Sequence, residues 1–245
     1  MTNHVPLEKD KHANLKVIES HDYTRFKGQN LIPIVGKDFF TLSAEFPLVF
    51  VVNQENQDFV PVAIMGLRDG DNLYCRENPY PAHVIPLGFG NAPFAIAATS
   101  ETREQFVVMV DEDSELLSET EGQALFKEDG EKSDYMEARV ESLVQAAQMR
   151  EQTMQICKIL KERDLLVTHQ VQLQHRQDGQ RYNIEGIYTV DEQKLNDLSD
   201  DDYLELRKQG LIPLIYAHLS SLQQLRRVSE RQYQSDKAAA AAGDS

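Results

Sequence analysis

Short apolar runs bounded by turn residues fill the first half of the chain and predict a sheet. Residues 47–52 and 59–65 are rich in Val, Phe and Ile, which is typical of buried strands. Pro61 cannot donate a ladder hydrogen bond, so the second strand is predicted at a sheet edge or at a bulge. Residues 69–72 have the composition of a hairpin turn. The pattern predicts a meandering antiparallel sheet, with further strands at 73–75, 94–99 and 105–111 and a tight turn at 100–102.

After Asp111, the apolar residues are spaced as in helices and no longer as in strands. Ser118 and Glu121 form a capping box, which predicts a short helix ending near Phe126. Residues 133–163 contain no Gly or Pro and predict one long helix. Its apolar face recurs at steps of three and four, with one gap that Arg150 fills: Met136, Val140, Leu143, Ala147, Met154, Cys157 and Leu160.

Strict alternation returns in the last third of the chain. Residues 167–175 alternate apolar or His positions with Thr and Gln, and residues 182–190 continue the period of two. Asp178 and Gly179 lie between the two segments and supply a turn. This region predicts a β-hairpin.

Three helices are predicted to close the chain. Asp191 can cap a helix over 192–198, and Ser199 can cap a helix over 200–209 that Gly210 ends. The last helix is predicted over 211–234, because Pro213 is tolerated in a first turn. The fold class is therefore α+β, with an N-terminal antiparallel sheet, a long central helix, a β-hairpin and a helical C-terminus. A single domain is predicted over 1–235, followed by a disordered tail at 236–245.

Charge and hydropathy exclude several classes of function. The chain has 25 Lys and Arg against 40 Asp and Glu, a net charge of −15, which disfavours binding to nucleic acid or to an anionic membrane. No apolar stretch approaches the roughly 18–20 residues of a membrane span, so an integral membrane protein is not expected. Charged residues near the N-terminus do not fit a signal peptide, so a soluble cytoplasmic protein is expected, with non-classical export to the cell surface left open. Cys75 and Cys157 are predicted to be buried thiols.

Residues 101–134 carry the strongest local charge, with twelve acids and three bases. Asp111, Glu112 and Asp113 follow a predicted strand and could bind Mg²⁺ or Ca²⁺, although their spacing does not match an EF-hand loop. The same residues could instead cap a helix on a solvated face, or form a docking surface for another protein. The residues alone leave these three interpretations open.

The histidines give little support to a catalytic site. His169 and His175 are six residues apart on one strand, roughly 20 Å, which is too far for one metal ion. His4 and His12 lie near a terminus that is expected to be mobile. His218 stands in an apolar helical stretch, where a hydrogen-bonded buried histidine is favoured over a general base. No HExxH, GxSxG, P-loop or GxGxxG motif is present, so no cofactor is predicted and the enzyme question stays open, inclining to no.

Several segments together resemble the bacterial SapC-like family, from about residue 4 to Leu225. They are EFPLVF (45–50), AIMGL (63–67), NLY (72–74), YPA (80–82), DED (111–113), GQALF (122–126), GIYTVDEQKL (186–195) and GLIPLIYAHLSSL (210–222). The resemblance implies a protein associated with a bacterial surface layer. It does not refer to the peptide permease of the same name, because a permease requires spanning segments. Similar proteins are encoded beside TonB-dependent receptors and halogenase-like proteins, which implies a cytoplasmic accessory protein or a metal-dependent enzyme as the alternative.

The favoured hypothesis is a non-enzymatic SapC-like protein that acts through protein–protein contacts or self-association. The alternative metal enzyme would use Asp111, Asp113 or His218. The predicted binding residues come from the acidic segment and the last third of the chain: Asp111, Glu112, Asp113, Tyr188, Asp191, Tyr216 and His218.

Overall fold

The computed structural model describes residues 3–98, 106–174, 179 and 181–243. Its strands are β1 (His4–Pro6), β2 (Lys16–Val17), β3 (Leu31–Pro33), β4 (Leu48–Val52), β5 (Phe59–Ile64), β6 (Phe94–Ala98), β7 (Phe106–Asp111), β8 (Leu117–Ser118), β9 (Gln123–Ala124), β10 (Leu166–Gln174) and β11 (Arg181–Val190). Its α-helices are α1 (Lys9–His12), α2 (Asp38–Leu42), α3 (Asp134–Glu162), α4 (Glu192–Asn196), α5 (Asp200–Lys208), α6 (Leu211–Ser221) and α7 (Leu225–Gly243). Sheets and helices are both present, and the predicted α+β class is confirmed. The predicted turn at 100–102, His175 and Asp178 lie outside the described residues.

The chain divides into two compact units. Unit 1 comprises residues 1–21 and 87–149, and unit 2 comprises residues 22–86 and 150–245. The division falls between Met149 and Arg150 within α3, at the gap in its apolar face. The single domain over 1–235 stays a prediction.

Unit 1 is built on a sheet in the order β1-β7-β6, with all pairs antiparallel. A second small sheet has the order β8-β2-β9. The beginning of α3 closes the core of this unit. Its members are Val17, Phe94, Val110, Leu125, Met136 and Leu143.

The short helix predicted over 118–126 is wrong, and this segment forms β8 and β9 instead. Ser118 Oγ does accept the N–H groups of Thr120 and Glu121, at 3.1 Å each, so the capping interaction forms as a turn. Gly122 has φ +106°, and a Cβ there would lie 2.4 Å from the carbonyl oxygen of Val17. Because the backbone of Gly122 lies this close to β2, the turn ends there and the pairing of β9 with β2 begins.

Unit 2 is built on a five-stranded sheet in the order β10-β11-β4-β5-β3, with neighbouring strands antiparallel. The predicted strands at 47–52 and 59–65 are confirmed as β4 and β5, and the hairpin is confirmed as β10 and β11. The long central helix is confirmed as α3.

The prediction that Pro61 marks an edge strand or a bulge is wrong, because β5 pairs with β4 on one side and β3 on the other. The carbonyl of Pro61 accepts from Ile34 N–H at 3.0 Å, so the nitrogen of Pro61 faces the same side of the strand. Strand β3 has already ended at Pro33. Pro61 therefore lacks only the reciprocal hydrogen bond to Ile34, which lies just beyond the end of β3.

The returning strand predicted at 73–75 does not form. Asn72 is buried, and its Oδ1 atom accepts the N–H groups of Tyr74 at 3.0 Å and Cys75 at 3.1 Å. A side chain thus takes the donors that a strand would offer to a neighbour. The turn before it is present, with Gly70 at φ +74°.

The helix predicted over 211–234 is two helices, α6 and α7, joined by a 3-10 turn at Leu222–Gln224. Ser221 Oγ donates to the carbonyl of His218 at 2.5 Å, which tightens the chain at this point. Helix α7 continues to Gly243, beyond the predicted end at Gln234, because alanine has the highest helix propensity. Disorder of the exposed alanine run in solution stays a prediction.

Candidate functional site

The acidic triplet lies at the end of β7 in unit 1. Asp111 Oδ1 accepts the N–H groups of Asn3 at 2.8 Å and Asp113 at 3.4 Å, so this carboxylate caps the turn that leaves the strand. Glu112 is half-buried, and Asp113 is exposed. Among the described residues, no group of three or more His, Cys, Asp or Glu side chains is arranged to bind a metal ion.

Glu112 is held by two residues of α1. Its Oε1 atom lies 2.6 Å from Lys11 Nζ and 2.9 Å from His12 Nε2. The hydrogen bond from Lys11, then that from His12, lowers the pKa of Glu112 below its usual value. The carboxylate is therefore charged at neutral pH and fixes α1 to the end of β7.

His12 is a site residue that sequence reasoning missed. It was expected on a mobile terminus, but only 1% of its surface is exposed. Glu8 N–H lies 2.9 Å from Nδ1, and with Nδ1 accepting this bond, Nε2–H donates to Glu112. The sequence feature that could have indicated burial of His12 is the pair Leu7 and Leu15, which flank it in the sequence. Both pack against the core of unit 1.

A cleft of about 400 Å³ opens beside this cluster. One wall is the segment 10–15, and the other is formed by Glu112 and residues between 114 and 119. A second cleft of about 460 Å³ shares Ala13, Asn14, Leu15 and Glu119 with it. Groups of both charge signs line the first cleft, including Asp10, Lys11 and Glu119, so it can accept polar and charged groups.

The acidic segment, residues 111–134, exposes most of its charge. It carries ten acids and two bases. Lys127 Nζ lies 2.8 Å from Asp134 Oδ1, and the hydrogen bond that Lys127 donates to Asp134 raises the pKa of Lys127. The exposed acids are Asp113, Glu115, Glu119, Glu121, Glu128, Asp129, Glu131 and Asp134. The segment can therefore present negative charge to a partner.

The remaining predicted residues belong to unit 2. Asp191 caps α4, since its Oδ1 atom accepts the N–H groups of Gln193 at 2.9 Å and Lys194 at 3.2 Å, as the sequence predicted. Tyr188 packs edge to face on Phe59, with ring centroids 4.9 Å apart. Tyr216 is 39% exposed on α6 and is available to a partner.

His218 has no exposed surface. Nδ1 lies 2.7 Å from the carbonyl oxygen of Leu48, and Nε2 lies 3.0 Å from the nitrogen of Val190. The imidazole therefore lies against the ends of β4 and β11. Strand β11 also carries Tyr188. Both ring nitrogens are engaged by backbone groups, so the predicted hydrogen-bonded buried histidine is confirmed.

The two cysteines are buried free thiols, as predicted. Burial raises the pKa of Cys75 and of Cys157 to about 12, so both thiols are protonated at neutral pH. In the portion of the chain that the structure describes, no helix combines the length and apolarity that a membrane span requires.

Comparison with known proteins identifies the family. The SapC family model matches residues 7–228, which is most of the chain. No curated protein and no solved structure matches the chain. This protein belongs to the SapC family.

Proposed function

We propose that this SapC-family protein is non-enzymatic, acts through protein–protein contacts and is associated with a bacterial surface layer. The proposed location rests on the resemblance of the sequence segments to the surface-layer type of SapC, and the matching family model adds membership of SapC. The location of the protein in the cell separates this proposal from a cytoplasmic accessory role.

The observation that carries the proposal is the acidic segment. Eight of its ten carboxylates are exposed, and it contributes two bases to offset them. Exposed charges of one sign speed the approach of an oppositely charged partner and select against partners of like charge. We therefore expect a partner protein with a basic contact surface, and binding that weakens as salt is added.

Two of the three groups that a metal enzyme would use, Asp111 and His218, are engaged in structural hydrogen bonds, and so is the predicted binding residue Asp191, which also supports the proposal. The nitrogens of His218 bind two strands, and the carboxylate of Asp191 caps a helix. Asp111 holds the backbone of Asn3 and Asp113. A proton-transfer role would require these groups to give up contacts that hold the fold.

Neutralising the acidic segment tests the proposal. In the test variant Glu119, Glu121 and Glu131 become Gln, Glu128 becomes Gln and Asp129 becomes Asn. Cross-linking in intact cells, quantified for each linked partner, should fall about tenfold. Five exposed charges that each contribute about 0.3 kcal/mol to binding together account for about a tenfold change in affinity.

A matched variant controls for net charge. It neutralises five exposed acids of unit 2: Glu55, Glu162, Glu185, Glu192 and Asp201. Cross-linking of this variant should match that of the natural protein. Equal cross-linking by the test and control variants, or equal loss in both, contradicts the assignment of the contact to the acidic segment.

A further inference from the structure

The imidazole of His218 has a defined protonation state. The N–H group of Val190 can only donate, so Nε2 of His218 accepts and carries no proton. The carbonyl of Leu48 can only accept, so Nδ1 carries the proton and donates. His218 is therefore neutral in the folded protein.

The imidazole lies between β4 and β11 where the next hydrogen bonds between these two strands would form. Strands β4 and β11 pair at Val51 with Ile187 and at Phe50 with Tyr188. Continuing this register places Leu48 opposite Val190, and these are the two residues that His218 joins. The side chain thus bridges backbone groups of the two strands just beyond the point where their ladder ends.

Helix α6 supplies both hydrogen-bonding partners of Leu48. Ser221 Oγ accepts Leu48 N–H at 2.9 Å, while His218 binds its carbonyl. The ring of Phe50 packs edge to face on the imidazole, with centroids 5.2 Å apart. Of the two hydrogen bonds that attach α6 to Leu48, the one made by His218 therefore involves a titratable group.

We propose that His218 is an acid-sensitive latch: a proton added to its Nε2 atom breaks the hydrogen bond from Val190 and releases α6 from the junction of β4 and β11. The added proton comes from solvent, and it converts the acceptor into a donor that faces a second donor. Among the described residues, the ring hydrogen-bonds to backbone groups and to no carboxylate, so the positive charge would be buried without a counter-ion. This latch is independent of the proposed function.

The titratable surroundings of His218 set the direction of the effect. The pKa of His218 is lowered to about 4, because burial and the charge of His169 on β10 lower it by more than the hydrogen bond to the Leu48 carbonyl raises it. Strand β4 and the 3-10 turn after α6 carry no titratable side chain. Helix α6 itself carries Tyr216. The other packed elements carry Asp38 on α2, Arg181, Tyr182, Glu185 and Tyr188 on β11, and Tyr203 on α5 together with its charged residues at 200–202, 205, 207 and 208.

The sign of the pH dependence follows from these values. The unfolded chain takes up the proton near pH 6.5 and the folded chain only near pH 4. The contribution of His218 to stability is therefore complete above pH 6.5 and is lost as the pH falls to about 4. Over this window the unfolding equilibrium constant should rise by up to about 300-fold from this group.

The test compares the natural protein with His218→Gln, whose amide offers a donor and an acceptor but does not titrate. Chemical unfolding is measured from pH 7.5 to pH 3.5, together with hydrogen exchange of the Val190 amide and of α6. The difference between the two proteins should grow as the pH falls from 6.5 to 4, with faster exchange at Val190 and in α6 of the natural protein. His21→Gln, which removes an exposed histidine, should follow the natural curve.

Parallel pH curves for the natural protein and His218→Gln overturn the proposal. A second measurement, made on the natural protein, tests the proposal even when the His218→Gln variant does not fold. Nitrogen NMR of the natural protein should show His218 as the neutral Nδ1–H form down to about pH 4. Titration of this ring near pH 6.5 without faster exchange at Val190 also overturns it.

Discussion

Two buried tyrosines of unit 2 differ in whether their hydroxyl groups have partners. Tyr182 is 6% exposed and donates to Asp236 Oδ2 at 2.7 Å. Tyr74 is 3% exposed, and its hydroxyl has no hydrogen-bond partner among the described residues. Its ring contacts Phe46 at 4.9 Å and the guanidinium of Arg231 at 4.5 Å. A Phe side chain at position 74 can keep both ring contacts.

Tyr74→Phe should therefore raise the free energy of unfolding by about 1 kcal/mol, because it removes a buried polar group that lacks a partner. Tyr182→Phe, the matched control, should lower it by about 1 kcal/mol, since it removes one of the hydrogen bonds that Asp236 accepts. Urea unfolding at neutral pH measures both values. A loss of stability in Tyr74→Phe equal to that in Tyr182→Phe would show that the hydroxyl of Tyr74 is bonded in solution.

Residue-scale prediction from the sequence succeeded where the partners are local. Asp191 was predicted as a cap because its two N–H partners follow within three residues. His12 was missed because Glu112 is 100 residues away in the chain. The apolar setting of His218 indicated burial, but no periodicity identifies Leu48, 170 residues away, as its partner.

Helix α7 is held by a polar cluster that begins before its alanine run. Asp236 accepts hydrogen bonds from Arg68 at 2.8 Å, Tyr182 at 2.7 Å and Gln232 at 3.1 Å. Gln232 is buried, and its Oε1 atom accepts Leu67 N–H at 3.2 Å. The predicted domain limit at residue 235 leaves out Asp236, which joins α7 to β11 and to the segment after β5.

Chains that end on either side of Asp236 should differ in stability. A chain ending at Ser235 should lose about 2 kcal/mol of unfolding free energy, because a charged acceptor with three donors is removed. A chain ending at Lys237 should match the full chain. Thermal and urea unfolding of the two chains measures the difference, and full-length Asp236→Asn separates the carboxylate from the helix end. Equal stability of the two truncated chains contradicts this role of Asp236.

Elements with a simple period were predicted from the sequence, and elements decided by distant backbone were not. The alternation of 167–173 predicted β10, and the stepped apolar face predicted α3. The capping box at Ser118 was read as a helix start, because the sequence does not reveal that Gly122 passes against Val17. The end of α6 was missed for a similar reason, since Ser221 is bound to Leu48 of a remote strand.

At the scale of the whole molecule, the candidate binding residues are divided between the two compact units. The SapC family model covers 7–228 and so includes parts of both units. The acidic segment belongs to unit 1, whereas His218 and the aromatic candidates belong to unit 2. The candidate binding residues therefore form two groups, and the acidic one is the proposed contact surface.

Location in the cell tests the central claim most directly. Native cells are fractionated and probed for this chain, and intact cells are treated with a protease before the same assay. Lysed cells treated with the protease provide the control that the folded chain can be cut. The account predicts recovery with the surface layer and loss of the chain when intact cells are treated. Recovery only in the soluble cytoplasm, with cleavage only after lysis, would contradict the surface-layer role.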